Sequence, residues 1–406
     1  MTGSDGRVSV LVIVTRFMAG AGGVALRGAR GLDPERYAVS FVTGGGRITD
    51  DARRLGFDVT VLPDMVAEVS PRRDLRALRE LTQLLRTRRP DVVHTHSAKA
   101  GGIGRIAARR AGVPLIVHTY HGFPFHEFQR PWTRGAYVAA ERFLSRRTDA
   151  VLAVGSAVGV EAIRRGIATP AQLRVTAVTV DGDALVCTPE SRRRARAKLG
   201  IARSALVVGT VGRLDYQKAP GDFFRALQLL RHRDVLGVWV GAGPLRAEVE
   251  RQIGDAGLRD RVLMLGDRSD VRELLPAFDV FAMSSLYEGL PCAIVEAMMA
   301  GVPIVATAVN AVSDVVIPGE TGLLVSPREP AVLAAAIDLV LEDPVAAHIR
   351  AERGRAMLGD RFEPHRLGAV LDEVYRSTTP GRNRCENADQ TSRLLASSVA
   401  EASHLS

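Results

Sequence analysis

Long apolar runs are missing from this chain of 406 residues. No stretch approaches the roughly 18 apolar residues that a membrane-spanning helix needs, so we expect any membrane contact to be peripheral. The one early apolar run, Val8–Val14, is too short for a signal peptide, has no basic segment before it and leads directly to Arg16. We therefore predict that it forms a buried strand.

Cysteine and aromatic residues are also scarce. The three cysteines, Cys187, Cys292 and Cys385, are far apart and include no C-x-x-C pair, which argues against a zinc site or a redox motif and favours a reducing cytoplasm. Aromatic residues make up 5% of the chain, and the arginines are not interleaved with them as in a stacking platform for nucleic acid. We expect no nucleic-acid partner.

Positive charge is present in excess, with a formal net charge of +9, and the excess lies in the N-terminal half. Solvated faces of Arg-rich helices explain such an excess, and so does an anionic acceptor or a lipid surface. The charge alone leaves both explanations open.

Short β-branched runs alternate with helical patterns throughout the chain, which predicts βαβ units and parallel sheets. The helix predicted at Pro71–Arg88 has Pro at its first position and an apolar face formed by Leu75, Leu78, Leu81 and Leu85. The first set of predicted strands comprises Val8–Thr15, Tyr37–Thr43, Val59–Leu62, Asp91–His96 and Leu115–Thr119. The second set comprises Leu206–Val211, Val235–Gly241, Val262–Leu265, Val280–Met283, Pro303–Thr307 and Gly322–Val325. Two doubly wound α/β halves follow from these patterns.

An aperiodic segment with turn residues, Ala177–Glu190, separates the two halves and is predicted to be the interdomain linker. We predict an N-terminal domain over 1–185 and a C-terminal domain over 186–365. A helix over 366–378 is expected to return to the N-terminal domain, and the polar segment 379–406 is expected to be a disordered tail.

The most informative segment is VFAMSSLYEGLPCAIVEAMMAGVPIVAT, residues 280–307. The backbone amides of Gly289 and Leu290 lie at a predicted helix N-terminus, where unsatisfied N–H groups favour an anion such as a diphosphate. Glu296, one turn into the helix, suits two neighbouring hydroxyls of a ribose, while Glu288 faces what lies beyond the phosphate. The alternative is that Glu288 is a solvated loop acid and Glu296 a charge on a helix face, although so apolar a helix implies a partner for Glu296.

Glu288 and Glu296, within E-G-L-P…E-A-M-x-x-G-x-P-I-V-A-T, resemble the E-x7-E signature of retaining glycosyltransferase family 4. The resemblance covers roughly Val8 to Tyr375. It implies the GT-B fold, in which two Rossmann-like domains face a cleft. It also implies sugar transfer from a nucleotide diphosphate sugar, with UDP the expected nucleotide, GDP the alternative, and no metal or other cofactor.

A second motif, VGRLDYQK, follows the first strand of the C-terminal half. Arg213 and Lys218 would emerge at the carboxyl end of that strand, where ligands bind in open α/β sheets. The resemblance implies that both cations hold the donor diphosphate, which would make a metal unnecessary. The alternative is that they are surface charges in a loop.

Two further segments are placed near the nucleotide by the resemblance. The Gly-rich turn that contains Gly243 follows a predicted strand, and the segment Gly266–Val271, which contains Arg268, is expected near the base. A turn without a ligand is an equally good explanation for Arg268.

In the N-terminal half, the resemblance implies that His121 reaches the transferred sugar and that the backbone at Gly22 and Gly23 lines the cleft. The block around His121 resembles the branch that builds bacterial polysaccharides and lipid-linked oligosaccharides, which suggests a lipid-linked acceptor. Lys99 would then meet an acceptor phosphate. A structural histidine and a solvated lysine remain as alternatives.

Three other patterns are interpreted as structural. The loose G-x-G-x-x-A match that begins at Gly20 lacks the acidic residue that a dinucleotide ribose needs. Asp181-Gly182-Asp183 resembles a metal-binding D-x-D motif but is better explained as a hinge turn, and it departs from the Gly-Val/Ile-Asp signature that the family usually shows there. His94 and His96 alternate at a strand end without a third metal ligand, and they are kept as strand residues.

The sequence thus predicts a cytoplasmic, metal-independent glycosyltransferase that acts on a small-molecule or lipid-linked acceptor. A nucleotide-sugar epimerase on the same fold and a non-catalytic partner subunit that binds nucleotide sugars are the alternatives. Peripheral docking at the inner membrane face, through an Arg-rich helix with Phe123, Phe125, Phe128 and Trp132, is a further hypothesis.

Overall fold

In the computed structural model the described residues are 6–18, 20–181 and 187–377, and they form two separate parallel sheets. The strands in this part of the chain are β1 (Val8–Val14), β2 (Tyr37–Thr43), β3 (Asp58–Val61), β4 (Val92–His96), β5 (Leu115–Tyr120), β6 (Ala150–Val154), β7 (Leu173–Thr176), β8 (Val207–Val211), β9 (Leu236–Val240), β10 (Val262–Gly266), β11 (Val280–Met283), β12 (Ile304–Thr307) and β13 (Leu323–Val325). The α-helices there are α1 (Ala21–Arg30), α2 (Thr49–Arg54), α3 (Pro71–Arg88), α4 (Ala98–Ala111), α5 (Pro131–Ser145), α6 (Ser156–Arg164), α7 (Pro189–Leu199), α8 (Pro220–Leu229), α9 (Arg246–Asp255), α10 (Val271–Leu274), α11 (Cys292–Met299), α12 (Pro330–Glu342), α13 (Pro344–Leu358) and α14 (Pro364–Ser377).

The first compact unit runs to Ala177 and also includes α14. Its seven strands lie in the order β3-β2-β1-β4-β5-β6-β7, so the strand order reverses between β1 and β4. The strands read as continuous apolar runs because both faces of a parallel sheet are covered by helices. Residues such as Leu11, Ile13 and Ile116 are accordingly almost fully buried.

Helix α14 packs on α1 within this first unit. The Tyr375 hydroxyl lies 2.8 Å from Nδ1 of His94, a bond between α14 and β4. The two helices meet at glycines, because a Cβ atom on Gly368 would lie 1.9 Å from the Gly31 carbonyl oxygen. The sequence led us to expect a helix over 366–378 in this role, and the observed helix is Pro364–Ser377.

The second unit runs from Val178 to Glu363. Its six strands lie in the order β10-β9-β8-β11-β12-β13, and the order reverses between β8 and β11. Phe223, Trp239 and Ile337, which lie on α8, β9 and α12, are almost fully buried in one apolar core.

The predicted fold class, two doubly wound parallel-sheet units, is confirmed. The helix predicted at Pro71–Arg88 has those bounds, but Leu75 on its predicted apolar face is 46% exposed, because the buried stripe is centred on Leu81 and Leu85. The sequence analysis did not single out β6 and β7, which complete the first sheet.

Several sequence predictions lie outside the described residues. These are Gly182 and Asp183 of the D-x-D-like motif, Cys385, the domain boundary at 185/186 and the tail over 379–406. In the part of the chain that the structure describes, no helix combines the length and the apolar character that a bilayer span requires.

Candidate functional site

The candidate site of the second unit lies at the carboxyl ends of β8 and β11, where the strand order of its sheet reverses. Ligands of open α/β sheets bind at such a reversal, because the loops leave the two central strands in opposite directions. After β8 the chain passes through Arg213 into a short 3-10 turn, Tyr216–Lys218. After β11 it passes through Glu288 into α11. Both motifs found in the sequence therefore lie at one edge of one sheet.

Lys218 and Glu288 form an ion pair across these two loops. The side chain of Lys218 is 17% exposed and that of Glu288 is 6% exposed, so the pair is largely withdrawn from water. The Ser285 hydroxyl donates a 2.7 Å hydrogen bond to Oε1 of Glu288. The structure thus excludes the interpretation of Glu288 as a solvated loop acid.

Two residues that the sequence analysis missed hold this pair in place. Gln217 Nε2 donates to Oε2 of Glu288 over 3.1 Å and to the Tyr287 carbonyl over 3.0 Å. The Glu288 backbone amide donates to Oδ1 of Asn310 over 2.9 Å. Gln217 could have been noticed as the neighbour of Lys218, but no local pattern marks Asn310, which approaches from the loop after β12.

Arg213 lies at the same strand end and extends into solvent, with 63% of its side chain exposed. Its Nη1 atom is 3.4 Å from Oδ2 of Asp215, which is a loose ion pair. Burial, with the carboxylates of Asp215 and Glu288 nearby, raises the pKa of Tyr287 to about 12. Because most of its side chain is exposed, Arg213 is an accessible cation beside the enclosed Lys218.

Gly289 and Leu290 directly precede α11, which begins at Cys292 after Pro291. The first backbone amides of a helix have no partner within it, so they can bind an anion. Glu296 projects from this helix and is 15% exposed at its side chain, with Oε1 3.8 Å from Nε of Arg272. Arg272 in turn donates a 2.6 Å bond to Asp181. Arg272 is the partner that the apolar surroundings of Glu296 imply, and the sequence analysis did not name it.

Gly243 and its neighbour Gly241 are required by packing within the unit. A Cβ atom on Gly241 would lie 2.0 Å from the Gly212 carbonyl oxygen, and one on Gly243 would lie 2.3 Å from that of Leu214. Gly241 also has φ +140, which disfavours any residue with a Cβ atom. The close approach expected at this turn is therefore made by the chain that follows β8.

Arg268 follows β10 and binds Asp270 with two hydrogen bonds, from Nε over 2.8 Å and from Nη2 over 2.6 Å. Lys198 also contacts Asp270. These cations, Arg268 first, hold the pKa of the Asp270 carboxyl well below its usual range. Arg268 thus uses two hydrogen bonds to close its own turn. This agrees better with a turn that binds no ligand than with a side chain that is free to contact the base.

In the first unit His121 follows β5 and belongs to a cluster of histidines. Its Nε2 atom lies 2.9 Å from Nδ1 of His96, and the two rings are stacked with centroids 5.2 Å apart. His94 hydrogen-bonds with Thr119 over 2.7 Å and with Tyr375. The histidines at 94 and 96 are therefore parts of a hydrogen-bonded cluster, as expected for strand residues. Among the described residues no three His, Cys, Asp or Glu side chains are arranged to hold a metal ion.

All four histidines in this region are neutral at neutral pH. Burial lowers the pKa of His121 to about 4 and that of His94 to about 3. Burial also lowers the pKa values of His96 and His118 well below the ordinary range. A neutral imidazole has one donor and one acceptor nitrogen, so His121 keeps one ring nitrogen besides the one that faces His96.

The other predicted residues of the first unit lie near the reversal between β1 and β4. Gly22 and Gly23 are buried in the first turn of α1. The Lys99 ammonium lies 2.6 Å from Oδ1 of Asp74 and contacts the Glu68 carbonyl, and its side chain is only 12% exposed. Lys99 therefore has an anionic partner within the protein, contrary to the picture of a solvated lysine.

Together, the loops of the second unit offer an accessible guanidinium, an enclosed ammonium and the amides of a helix N-terminus at one sheet edge. This arrangement suits an anionic ligand with several oxygen atoms. The half-buried carboxylate of Glu296 adds an acceptor for hydroxyl groups one turn into the helix. The predicted residues of the first unit form a separate set, in which His121 and Lys99 are the half-buried polar groups.

Two family models match this chain. Residues 191–357 match the family described as Glycosyl transferases group 1, and residues 19–179 match the family described as Glycosyl transferase 4-like domain. The first match lies within the second compact unit and covers most of it, whereas the second match covers most of the first unit up to Ala177 and leaves out α14.

Curated relatives match over most of their length. The Escherichia coli UDP-Gal:alpha-D-GlcNAc-diphosphoundecaprenol alpha-1,3-galactosyltransferase is 32% identical over 302 residues, which cover 72% of this chain and 77% of that protein. The 2-deoxystreptamine glucosyltransferase of Streptomyces kanamyceticus is 30% identical over 312 residues, which cover 74% of this chain and 80% of that protein.

Among solved structures, Anabaena HepE in complex with UDP and glucose superimposes with a TM-score of 0.80 at 22% sequence identity. The superposition covers 91% of this chain and 100% of that chain. This likeness concerns the fold, and it confirms the GT-B architecture that the sequence predicts.

Proposed function

Because this chain belongs to the group 1 glycosyl transferases, we propose that it moves a hexosyl or N-acetylhexosaminyl group from a UDP-sugar to an acceptor hydroxyl. We propose further that transfer retains the anomeric configuration and needs no metal ion. The matches reported above are to transferases, which favours glycosyl transfer over a nucleotide-sugar epimerase. We propose that the C-terminal domain, over 186–365, binds the donor and that the N-terminal domain, over 1–185, binds the acceptor.

The observation that carries this proposal is the enclosed Lys218–Glu288 pair beside the exposed Arg213. A leaving diphosphate gains negative charge as the bond to the sugar breaks, and fixed cations in a site with little water stabilise that charge strongly. Lys218 and Arg213, with the amides of Gly289 and Leu290, are the groups that would supply this stabilisation. They would stabilise the negative charge that a divalent cation stabilises in metal-dependent transferases.

The nucleotide is proposed to be anchored by Glu296. A carboxylate accepts two hydrogen bonds in parallel and therefore suits the adjacent hydroxyls of a ribose. Arg272 lies close enough to orient this carboxylate and is itself tied to Asp181. We propose that Gly243 shapes the turn beside the nucleotide and that Arg268 supports the loop near the base through Asp270.

His121 is proposed to hydrogen-bond a hydroxyl of the transferred sugar. Its lowered pKa keeps the ring neutral, so it adds no positive charge next to the developing sugar cation. The hydrogen bond to His96 fixes the ring orientation. The function of His121 would therefore be to position the sugar, with no proton transferred by the imidazole.

The acceptor is proposed to be a lipid-linked glycan or a secondary-metabolite glycan. The name of the Escherichia coli relative gives a GlcNAc-diphosphoundecaprenol acceptor, and that of the Streptomyces relative gives 2-deoxystreptamine. A lipid-linked acceptor would place the reaction at the cytoplasmic face of the inner membrane. Gly22 and Gly23, in the first turn of α1, and Lys99, held by Asp74, are proposed to line the acceptor side.

The proposal is tested by titrating UDP, GDP and their common sugars into the protein by calorimetry, with and without a chelator. We expect one nucleotide to bind selectively in both conditions and Glu296→Ala to weaken it by at least about tenfold, the loss expected for hydrogen bonds to a charged group. Glu190→Ala, on the exposed face of α7, is the matched control and should bind as the unmodified protein does. Binding only when a divalent cation is present would contradict the metal-independent site, and no binding of any nucleotide would contradict the donor site.

A further inference from the structure

Helix α5 buries its negative charge and exposes aromatic side chains. The residues of α5 that face the core are Val138, Glu141, Leu144 and Ser145. Glu141 is 4% exposed and accepts a 2.7 Å hydrogen bond from Nη2 of Arg105, which is itself fully buried. The inward face of α5 therefore contains the only carboxylate of the helix, neutralised by an internal guanidinium.

The opposite face of α5 is apolar although it points to solvent. Trp132 is 67% exposed and Phe143 is 50% exposed. Both side chains and three exposed alanines recur at the spacing that places residues on one side of a helix. The alanines of this face are Ala136, Ala139 and Ala140. An apolar stripe on the outward side of a surface helix indicates a surface that meets something other than water.

Arginines border this stripe, and the one acid within α5, Glu141, is buried. Arg142 lies at its edge within the helix, and exposed Arg130 and Arg146 flank the two helix ends. The guanidinium of Arg130 lies 5.3 Å from the centre of the Trp132 ring, and that of Arg147 lies 3.7 Å from the centre of the Phe143 ring. Aromatic rings paired with guanidinium groups are typical of the interface between lipid headgroups and acyl chains.

The structure changes the set of side chains that the sequence suggested for membrane contact. Phe125 is buried and stacks on Phe123 with ring centres 4.6 Å apart, so it is not available to a bilayer. The Arg-rich helix α3 is bordered by acids, and Arg73 and Arg76 both pair with Asp64. Phe123 and Phe128 are half-buried, so Trp132 is the one aromatic residue of the set named in the sequence analysis that is exposed.

We propose that the outward face of α5, defined by Trp132, Ala136, Ala139, Ala140 and Phe143, docks on a bilayer that contains anionic lipid. The aromatic rings would enter the headgroup region while the bordering arginines contact lipid phosphates. A second copy of this chain fits the face less well, because a two-fold interface would place arginines against arginines. The proposal goes beyond glycosyl transfer and depends neither on the donor nor on the acceptor.

The test is co-sedimentation with vesicles of phosphatidylcholine that contain phosphatidylglycerol, compared with phosphatidylcholine alone, without any nucleotide. We expect binding to the anionic vesicles that weakens as salt increases. Trp132 is also an internal probe, because the only other tryptophan, Trp239, is buried and donates its indole N–H to the Gly212 carbonyl. Binding should therefore shift the emission of Trp132 to shorter wavelength.

Variants separate the two components of the surface. Trp132→Ala/Phe143→Ala is expected to abolish sedimentation, and Arg130→Gln/Arg146→Gln is expected to weaken it at least about fivefold for each arginine removed. The matched controls are Val345→Ala/Ile349→Ala, at exposed apolar positions of α13, and Arg72→Gln/Arg79→Gln, at exposed positions of α3. Both controls should bind as the unmodified protein does.

Three results would overturn the proposal. The first is no sedimentation of the unmodified protein with anionic vesicles at low salt. The second is an equal loss in the α3 control, which would show attraction by net charge alone. The third is a dimer in light scattering that the Trp132→Ala/Phe143→Ala change dissolves, which would make a second copy the occupant of this face. Nucleotide binding measured on the same variants keeps a failure here distinct from a failure of the proposed transferase.

Discussion

The Lys218–Glu288 pair keeps part of its cation accessible, whereas the Arg105–Glu141 pair is closed on all sides. Arg105 donates to Glu141, to the Tyr120 hydroxyl over 3.1 Å and to the Gly101 carbonyl over 2.8 Å. Lys218 has three N–H donors, and it directs one of them to the Glu288 carboxylate where the two loops meet. At the scale of the residue, Arg105 is thus built to stabilise the fold, and Lys218 is able to meet a second anion.

Removing one member of the Lys218–Glu288 pair should cost more stability than removing both charges. Lys218→Met leaves a buried carboxylate without a cation, and we expect it to lower the free energy of unfolding by about 2–3 kcal/mol. In Lys218→Met/Glu288→Gln the amide keeps neutral hydrogen-bond partners, so part of this loss should return while activity stays absent. Urea denaturation measures the difference, and Arg194→Met in an exposed pair should change stability by less than about 1 kcal/mol. Equal stability of the single and double variants would mean that the two charges do not interact.

The histidine cluster should make the first unit sensitive to mild acid. An unfolded histidine takes up a proton near pH 6.5, but His121 and His94 do so only near pH 4 and pH 3. The unfolded state therefore binds more protons in this window, and the free energy of unfolding falls as the pH is lowered from about 6.5 toward 4, by at most about 1.4 kcal/mol per pH unit for each histidine. Unfolding midpoints measured across this range should change less with pH in His94→Gln than in the control His348→Gln, at an exposed position of α13. Identical slopes would contradict the buried, neutral state of His94.

The sequence could identify the residues that carry a local motif and not those that complete the site from elsewhere. Glu288 and Lys218 were found because the segments that follow β11 and β8 have recognisable patterns. Asn310, Arg272 and Gln217 were missed because their contacts join segments far apart in the chain, and no spacing along the sequence records such a contact. The pairing of Lys99 with Asp74, on a neighbouring helix, was hidden for the same reason.

At the scale of the element, the turn after β9 is constrained by the backbone of the segment after β8. Gly212 donates its amide to Val240, and Leu214 donates its own to Ala242 over 3.1 Å. These hydrogen bonds draw the two segments so close that no side chain fits between them. Periodicity in the sequence predicts where strands and helices lie. It cannot predict the close approach of the segments after β8 and β9, because that depends on how two separate elements pack together.

The Gly241→Ala variant should distinguish crowding from backbone conformation alone. Its Cβ atom would lie 2.0 Å from a carbonyl oxygen at a residue with positive φ, so we expect a loss of more than about 2 kcal/mol in the free energy of unfolding. Gly257→Ala also has positive φ but meets nothing within 4 Å, and it should cost only about 1 kcal/mol. Thermal melting compares the two variants. Equal losses would show that crowding at Gly241 is absent.

At the scale of the whole molecule, each compact unit has its own sheet and its own core. We expect the stability of the second unit to respond to nucleotide and that of the first to acid. The donor candidate residues belong to the second unit, and the histidine cluster belongs to the first. The basic excess of the N-terminal half also has a structural location in part, because several of its arginines border the outward face of α5. The composition predicted the excess but could not show which arginines lie beside exposed aromatic rings.

Ligand and acid should therefore act on different units. A nucleotide at about 100 times its Kd stabilises the unit that binds it by about 2.7 kcal/mol. We expect UDP to raise the melting temperature reported by buried Trp239. Acid between pH 6.5 and 5 should lower first the temperature of a transition that circular dichroism of the whole chain detects and Trp239 fluorescence does not. The Trp132→Phe variant removes the second fluorophore and makes the assignment unambiguous. An acid shift seen only in the transition that UDP moves would contradict this division.

The return of α14 to the first unit has a consequence for the order in which the protein is made. A ribosome releases the whole of the second unit, Val178–Glu363, before it releases the helix that begins at Pro364. The second unit can therefore reach its final structure on the ribosome while the surface of α1 around Gly28, which Leu367 and Leu371 later cover, is still bare. The first unit, whose synthesis begins first, is therefore the unit that completes its structure last.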